Sequence, residues 1–275
     1  MENRLPFWKM QGSGNDFVLI DHRRPLVAEA DRPGLVKKIC APKFGVGADG
    51  LIFIETSAEV DFRWRFFNAD GSEAEMCGNG GRCAARFAFL NGVAREKMAF
   101  ETLAGVIQAE VLGRRVKLEL SRPHGLQLNL AIPLGGQVWT GHFINTGVPH
   151  VVLPVDDLAG APVAEVGRAV RYHPLFQPAG TNVNFVKVSG PQEIQVRTYE
   201  RGVEAETLAC GTGAVAAALI FHKVLALPSP LKVHPSSGET LKIYFDYQDG
   251  NFRSVFLEGD ASVVFQGDIW LDELT

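Results

Sequence analysis

Two stretches of the chain read alike: Phe67-Asn-Ala-Asp-Gly-Ser-Glu-Ala-Glu-Met-Cys77-Gly-Asn-Gly80 and Tyr199-Glu-Arg-Gly-Val-Glu-Ala-Glu-Thr-Leu-Ala-Cys210-Gly-Thr-Gly213. Each leaves an alternating strand through a glycine turn and Glu-Ala-Glu, reaches Cys-Gly-x-Gly, and opens an Ala-rich helix. A weaker echo pairs Gly14-Asn15-Asp-Phe-Val with Thr181-Asn182-Val-Asn-Phe-Val, each Asn beside a strand. A repeat of this kind predicts two similar halves about a pseudo-dyad, with the two Cys-Gly-x-Gly turns brought to a common cleft. The boundary is placed near Arg122–Pro123, giving domains 1–122 and 123–263, with a C-terminal strand over 264–275 returning to the first half.

Around these stretches the pattern is one of many short strands and few helices. Phe62, Trp64 and Phe66 alternate on one face, and Val116–Leu120, Glu193–Tyr199, Leu241–Tyr247 and Val255–Leu257 read the same way. Three helices are expected. Asp31–Cys40 carries Leu35 and Ile39 four apart. Gly78–Leu90 puts Cys83, Phe87 and Leu90 on one side before the Asn91–Gly92 stop, and Gly211–Leu227 is apolar nearly all round, a buried helix. This mixture predicts an α+β fold.

Composition narrows the function. With 275 residues, 46% hydrophobic and 21% charged, the chain is an ordinary globular one. A net charge of −4 gives no footprint for nucleic acid. The longest strongly apolar run, Ala214–Phe221, is far short of a bilayer span, and Met1–Leu5 lacks the apolar core of a signal peptide, so no membrane contact and a cytoplasmic location are expected. The run Gly45-Val-Gly47-Ala-Asp-Gly50 matches G-x-G-x-x-G in the wrong context, with a helix before it and a strand after it, and is rejected as a nucleotide site.

The four cysteines are too few and too irregular for a disulfide framework or a zinc site. Cys40 and Cys83 read as small buried packing residues. Cys77 and Cys210 occupy equivalent points of a repeat, each at a helix start among glycines. There the unpaired N–H groups and the helix dipole favour a thiolate, and the same N–H groups can hold a carboxylate. Two such thiols on either side of one carbon suit inversion at a carbon acid, one removing a proton while the other delivers one, without metal or cofactor.

These residues resemble the diaminopimelate epimerase family. Met10-Gln-Gly-Ser-Gly-Asn-Asp-Phe17, Phe67–Arg82, Gly147-Val-Pro-His150, Tyr199-Glu-Arg-Gly202 and Ala209-Cys-Gly-Thr-Gly213 carry the likeness, which runs from about residue 8 to the C-terminus. The resemblance implies a cofactor-independent epimerase without pyridoxal phosphate, interconverting LL- and meso-2,6-diaminoheptanedioate and built from two pseudo-symmetric domains, each a mostly antiparallel curved sheet wrapped around a central helix. By that resemblance Cys77 and Cys210 are the acid/base pair, and His150 and Glu200 match positions that tune the thiols. Asn15, Asn68, Asn182, Glu200 and Arg201 bind the substrate's amino and carboxylate groups, with Arg201 on the distal carboxylate. Gly78–Asn79 and Gly211–Thr212 grip the reacting carboxylate through backbone amides. The chain departs from many relatives at Gly50, where they carry Gln, and at Val148, where they carry Asn. Phe265 stands where some carry a Tyr at a dimer contact, and a homodimer is expected.

Two other readings remain open: a proline or hydroxyproline racemase with paired cysteines, and a redox sensor closed by a Cys77–Cys210 disulfide. Arg201 and several Asn suit an open-chain diamino diacid better than an imino acid ring.

Overall fold

The computed structural model describes residues 4–274. Met1–Asn3, part of the stretch read above for a leader, and Thr275, the end of the returning segment, lie outside the described residues. The chain divides into two compact units, 1–118 with 259–275, and 119–258. The expectation from sequence is a divide near Arg122–Pro123 and a return over 264–275.

The first unit contains β1 (Arg4–Gly12), β2 (Asn15–Asp21), α1 (Arg32–Cys40), β3 (Gly50–Glu55), β4 (Phe62–Asn68), β5 (Glu73–Ala74), α2 (Gly78–Leu90), β6 (Lys97–Thr102), β7 (Gly105–Leu112) and β8 (Arg115–Glu119). The second contains β9 (His124–Leu134), β10 (Gln137–Asn145), β11 (Pro149–Pro154), α3 (Val163–Arg171), β12 (Asn182–Gly190), β13 (Glu193–Glu200), β14 (Ala205–Thr207), α4 (Gly211–Leu225), β15 (Leu231–Pro235), β16 (Leu241–Gln248) and β17 (Asn251–Asp260). The last strand, β18 (Ser262–Trp270), pairs with β1 in the first unit.

Pairing within the units follows one plan. In the first, β1 is antiparallel to β2, β2 parallel to β3, β3 antiparallel to β4, β4 parallel to β6, and β6 and β7 antiparallel to their successors. In the second, β10 through β17 repeat every one of these relations in the same order. The antiparallel neighbour of β10 is β9, which precedes it in the chain, whereas the antiparallel neighbour of β1 is β18, supplied from the far end. β18 thus takes beside β1 the place that β9 takes beside β10.

This plan corrects the weaker echo. Asn15 begins β2, the counterpart of β11, while Asn182 begins β12, the counterpart of β3. By strand position Asn182 therefore matches Gly50, and Asn68 at the end of β4 matches Glu200 at the end of β13. Both Asn precede an apolar run, and local sequence does not reveal which strand that run becomes.

The helices sit against the sheets because their residues leave them no other surface. In α4, Gly213 to Phe221 are all buried, and the helix touches β10, β11, β12, β13, β15 and β16. Burying a side chain such as Val215, Leu219, Ile220 or Phe221 contributes roughly 1.5–3 kcal/mol. The helix ends at Leu225, two residues before the expected stop, because Ala226 turns left-handed (φ 54°) and returns its N–H to His222. In α2, Cys83 and Phe87 are buried as expected, but Leu90 is 44% exposed. Asn91 stops that helix by donating its side-chain amide to the Phe87 carbonyl at 2.9 Å. The sequence reading did not register α3. Its central Gly167 looks like a breaker, yet a Cβ there would lie 2.6 Å from Tyr199. Close packing on that ring selects the glycine.

Because β18 closes the first unit through Ile269, which is 6% exposed in a cluster with Leu5 and Phe7, Ile269→Ala should lower stability by about 2–4 kcal/mol. Val264→Ala, at a site 56% exposed on the same strand, should stay within about 0.5 kcal/mol. Urea unfolding of the two variants measures both.

Candidate active site

In the first unit, the chain enters α2 from extended backbone at Cys77 (φ −142°, ψ 118°), whose Sγ accepts the Gly80 N–H at 3.5 Å. Sulfur thus takes the place that a hydroxyl or carboxylate oxygen usually takes at a helix cap. The N–H groups of Gly78 and Asn79 have no acceptor within the helix and lie at the positive end of its dipole, a seat for an anion. A Cβ on Gly78 would meet nothing within 4 Å, whereas one on Gly81 would lie 2.9 Å from Leu118. The core therefore holds one side of this turn and leaves Gly78 open.

A chain of polar contacts fixes the neighbouring side chains. The buried Asn79 donates Nδ2 to Asn15 Oδ1 at 2.7 Å, and Asn15 donates Nδ2 to Asp49 Oδ2 at 2.9 Å. Asp49 also accepts the Asp16 N–H at 3.1 Å and gives its own N–H to Asp16 Oδ1 at 3.0 Å, while Lys9, itself buried, pairs with Asp16 at 2.7 Å. Sequence reasoning joined Asn15 and Asn79 to the site but missed Asp49, which lies inside the rejected glycine run Gly45–Gly50. A carboxylate between a failed loop motif and a strand start was the available signal. Asn68 stands exposed at the end of β4, its amide turned to Ser72 Oγ at 3.0 Å.

In the second unit Cys210 likewise precedes its helix in extended backbone (φ −119°, ψ 109°), with Sγ 3.6 Å from Thr212 Oγ1. Thr212 Oγ1 is 2.9 Å from His150 Nε2, and the Thr146 hydroxyl donates to the Thr212 carbonyl at 3.0 Å. Asn182 bridges two segments, donating Nδ2 to Pro149 O at 3.0 Å and accepting the Arg201 N–H at 2.9 Å. The Arg201 guanidinium donates to Ala179 O at 2.9 Å, and Glu200 Oε2 accepts the Thr207 hydroxyl at 2.8 Å. The unit thus gathers His150, Asn182, Glu200, Arg201, Cys210, Gly211 and Thr212 around one helix start. It adds Asn184, Thr146 and Thr207, which the sequence reading did not select. Asn182-Val-Asn184 puts two amides on one face of a strand, the signal that would have found Asn184.

Burial governs the protonation states here. It pushes the Cys210 thiol up to about 12, with the Glu200 charge adding to it and the Thr212 hydroxyl and the Thr212 and Gly213 N–H groups pulling against it. The expectation of a thiol lowered by its helix start is therefore reversed at Cys210, because desolvation outweighs the dipole. Burial also raises Glu200, opposed by Thr207, and holds His150 down to about 3, with the Arg201 charge in support. Cys40 is likewise raised to about 12 by burial and reads as inert.

The family model for diaminopimelate epimerase matches residues 7–121 and 142–264. The diaminopimelate epimerase of Aquifex aeolicus (strain VF5) is 50% identical over 274 residues, covering 96% of this chain and 97% of that one. Among solved structures, a PhzF-family phenazine biosynthesis protein of Bacillus anthracis superposes with a TM-score of 0.73 at 16% identity, over 97% of this chain and 99% of that one. A hydroxyproline epimerase from Agrobacterium vitis gives 0.70 at 13% identity, over 98% and 94%. At such identities these two structures speak for the fold alone.

A neutral buried imidazole has a consequence for stability. His150 is 0% exposed and held down to about 3 in the folded chain, while in the unfolded chain it titrates near 6.5. Its contribution is complete above that ordinary value and is lost as pH falls toward 3, at about 1.4 kcal/mol per pH unit. Between pH 6.5 and 4.5, His150→Gln should lose about 2–3 kcal/mol less than the natural chain, as read by urea unfolding at both values.

Proposed function

The chain belongs to the diaminopimelate epimerase family, and on that premise we propose that it interconverts LL- and meso-2,6-diaminoheptanedioate with Cys77 and Cys210 as paired acid and base. The observation that carries this reading is the placing of both cysteines at the N-caps of α2 and α4, the matching helices of two units that share one strand plan. Turnover in one direction starts with Cys77 as the thiolate and Cys210 as the thiol. The Cys77 sulfur takes the α-hydrogen as a proton. The S–H bond forms as the C–H bond breaks, and the electron pair spreads from the α-carbon into its carboxylate. Cys210 gives its proton to the opposite face of the same carbon and is left as the thiolate. The reverse reaction exchanges these duties.

The backbone N–H groups of Gly78–Asn79 and Gly211–Thr212 steady the carboxylate as charge builds on it, which is where preorganised donors act most strongly. Arg201 offers a forked cation to the distal carboxylate, and Asn15, Asn68, Asn182 and Glu200 supply the polar contacts for the remaining groups. At Gly50 and Val148, where many relatives carry Gln and Asn, one polar side-chain contact to substrate each is absent or replaced. The proposal includes a cytoplasmic homodimer, supported by Phe265, 48% exposed on β18. Among the described residues no helix is long and apolar enough to cross a membrane.

Cys77→Ala and Cys210→Ala should each reduce turnover in both directions by about a hundred- to ten-thousand-fold or more. Cys40→Ala and Cys83→Ala should change only stability, by about 1–3 kcal/mol. Equal activity losses in all four would overturn the assignment. Solvent deuterium should enter the α-carbon of LL-diaminopimelate when it is incubated with reduced, metal-free protein. Epimerisation of proline with no turnover of diaminopimelate would favour the racemase instead, and activity confined to the oxidised protein would favour a redox sensor.

A further inference from the structure

We infer that Asn184 is a positioning residue for Cys210: it holds His150 with its proton on Nε2, and this leaves the Thr212 hydroxyl hydrogen to the Cys210 sulfur. The inference rests on Cys210 being a reacting thiol.

The orientation of the Asn184 amide is set from two sides. Its Oδ1 accepts the Thr198 hydroxyl at 2.9 Å, and its Nδ2 donates to Val151 O at 3.0 Å. The second N–H of that amide meets His150 Nδ1 at 3.2 Å. Turning the amide over would set oxygen against oxygen at Val151. Protonating Nδ1 would set donor against donor in a place where Asn184 and His150 are both 0% exposed. Nδ1 is therefore the acceptor and Nε2 carries the hydrogen, which it gives to Thr212 Oγ1 at 2.9 Å. With its oxygen engaged as acceptor, Thr212 turns its hydrogen to Cys210 Sγ, 3.6 Å away.

The glycine pattern fits this arrangement independently. A Cβ on Gly213 would lie 2.3 Å from Asn184 Oδ1, so the last glycine of Cys-Gly-Thr-Gly is the residue that lets the first turn of α4 settle on this amide. The charged neighbours are Arg201, which disfavours an imidazolium at His150, and Glu200, which opposes a thiolate at Cys210. Thr212 works against Glu200: its hydroxyl is a neutral donor that stabilises negative sulfur whenever Cys210 has given up its proton. His150 acts through Thr212, as a fixed neutral donor.

Two measurements on the full chain test this, and neither needs turnover, so a failure here is distinct from a failure of the epimerase reading. Nitrogen-15 NMR of the histidine rings should show His150 with Nε2 protonated and Nδ1 bare; a proton on Nδ1, alone or with one on Nε2, overturns the inference. Iodoacetamide labelling at one fixed pH, read separately for Cys77 and Cys210 by peptide mass spectrometry, should slow about tenfold at Cys210 in Thr212→Val. It should keep the natural rate in Thr212→Ser and stay unchanged at Cys77 in both. Asn184→Asp should slow Cys210 as Thr212→Val does, because a carboxylate at that place draws the proton to Nδ1 and Nε2 then takes the Thr212 hydrogen. An unchanged Cys210 rate in Thr212→Val, or in a folded Asn184→Asp, overturns the inference. If Asn184→Asp does not fold, the NMR spectrum and the Thr212 pair decide it.

Discussion

Each unit depends on an apolar helix whose first turn has to lie within van der Waals reach of its sheet. At α2 a Cβ on Gly80 would come 3.3 Å from Ile52, and one on Gly81 2.9 Å from Leu118; at α4 the corresponding approach is Gly213 on Asn184. Glycine is the residue that permits such contact, and the contact fixes where the helix begins. The residue just before each start is a cysteine. The N–H groups that the helix leaves unpaired then fall beside its sulfur. Core packing and site geometry are in this sense one constraint, since moving either cysteine would mean lifting a buried helix off its sheet.

That burial sets the electrostatics. A helix start in water would favour a thiolate, but around Cys210 the loss of hydration is the larger effect and pushes the thiol up. The second unit meets this with neutral donors that are already aimed, namely the Thr212 hydroxyl and the amides of the first helical turn. His150 belongs to the same design: fully buried and neutral, it orders its neighbours without adding a charge. Fixed dipoles of this kind need no rearrangement when charge moves onto the sulfur or the substrate carboxylate.

The two units share a strand plan but divide their polar groups differently. Where the first has Gly50 and Asn68 at a strand start and a strand end, the second has Asn182 and Glu200. Around α2 the side chains are tied through Asp49, Asp16 and Lys9, and around α4 through Asn184, Thr198 and Thr146. A repeat that keeps its two cysteines and lets the rest diverge suits a reaction in which the acid/base duty is symmetric and the substrate's distal groups are not.

The sequence by itself determined the α+β class, the repeat, the buried helices at Gly78 and Gly211, and the two cysteines at their starts. These features are local: alternation, glycine turns and apolar runs are written within a dozen or so residues. Tertiary structure alone decided which strand each Asn begins, that β18 completes the first unit, that Gly167 lies inside a helix, and that Asp49 and Asn184 orient the groups beside the sulfurs. It also decided the protonation of Cys210 and His150. Each of these depends on contacts between residues far apart in the chain or on how completely a group is removed from water, and neither quantity is carried by the pattern of neighbouring residues.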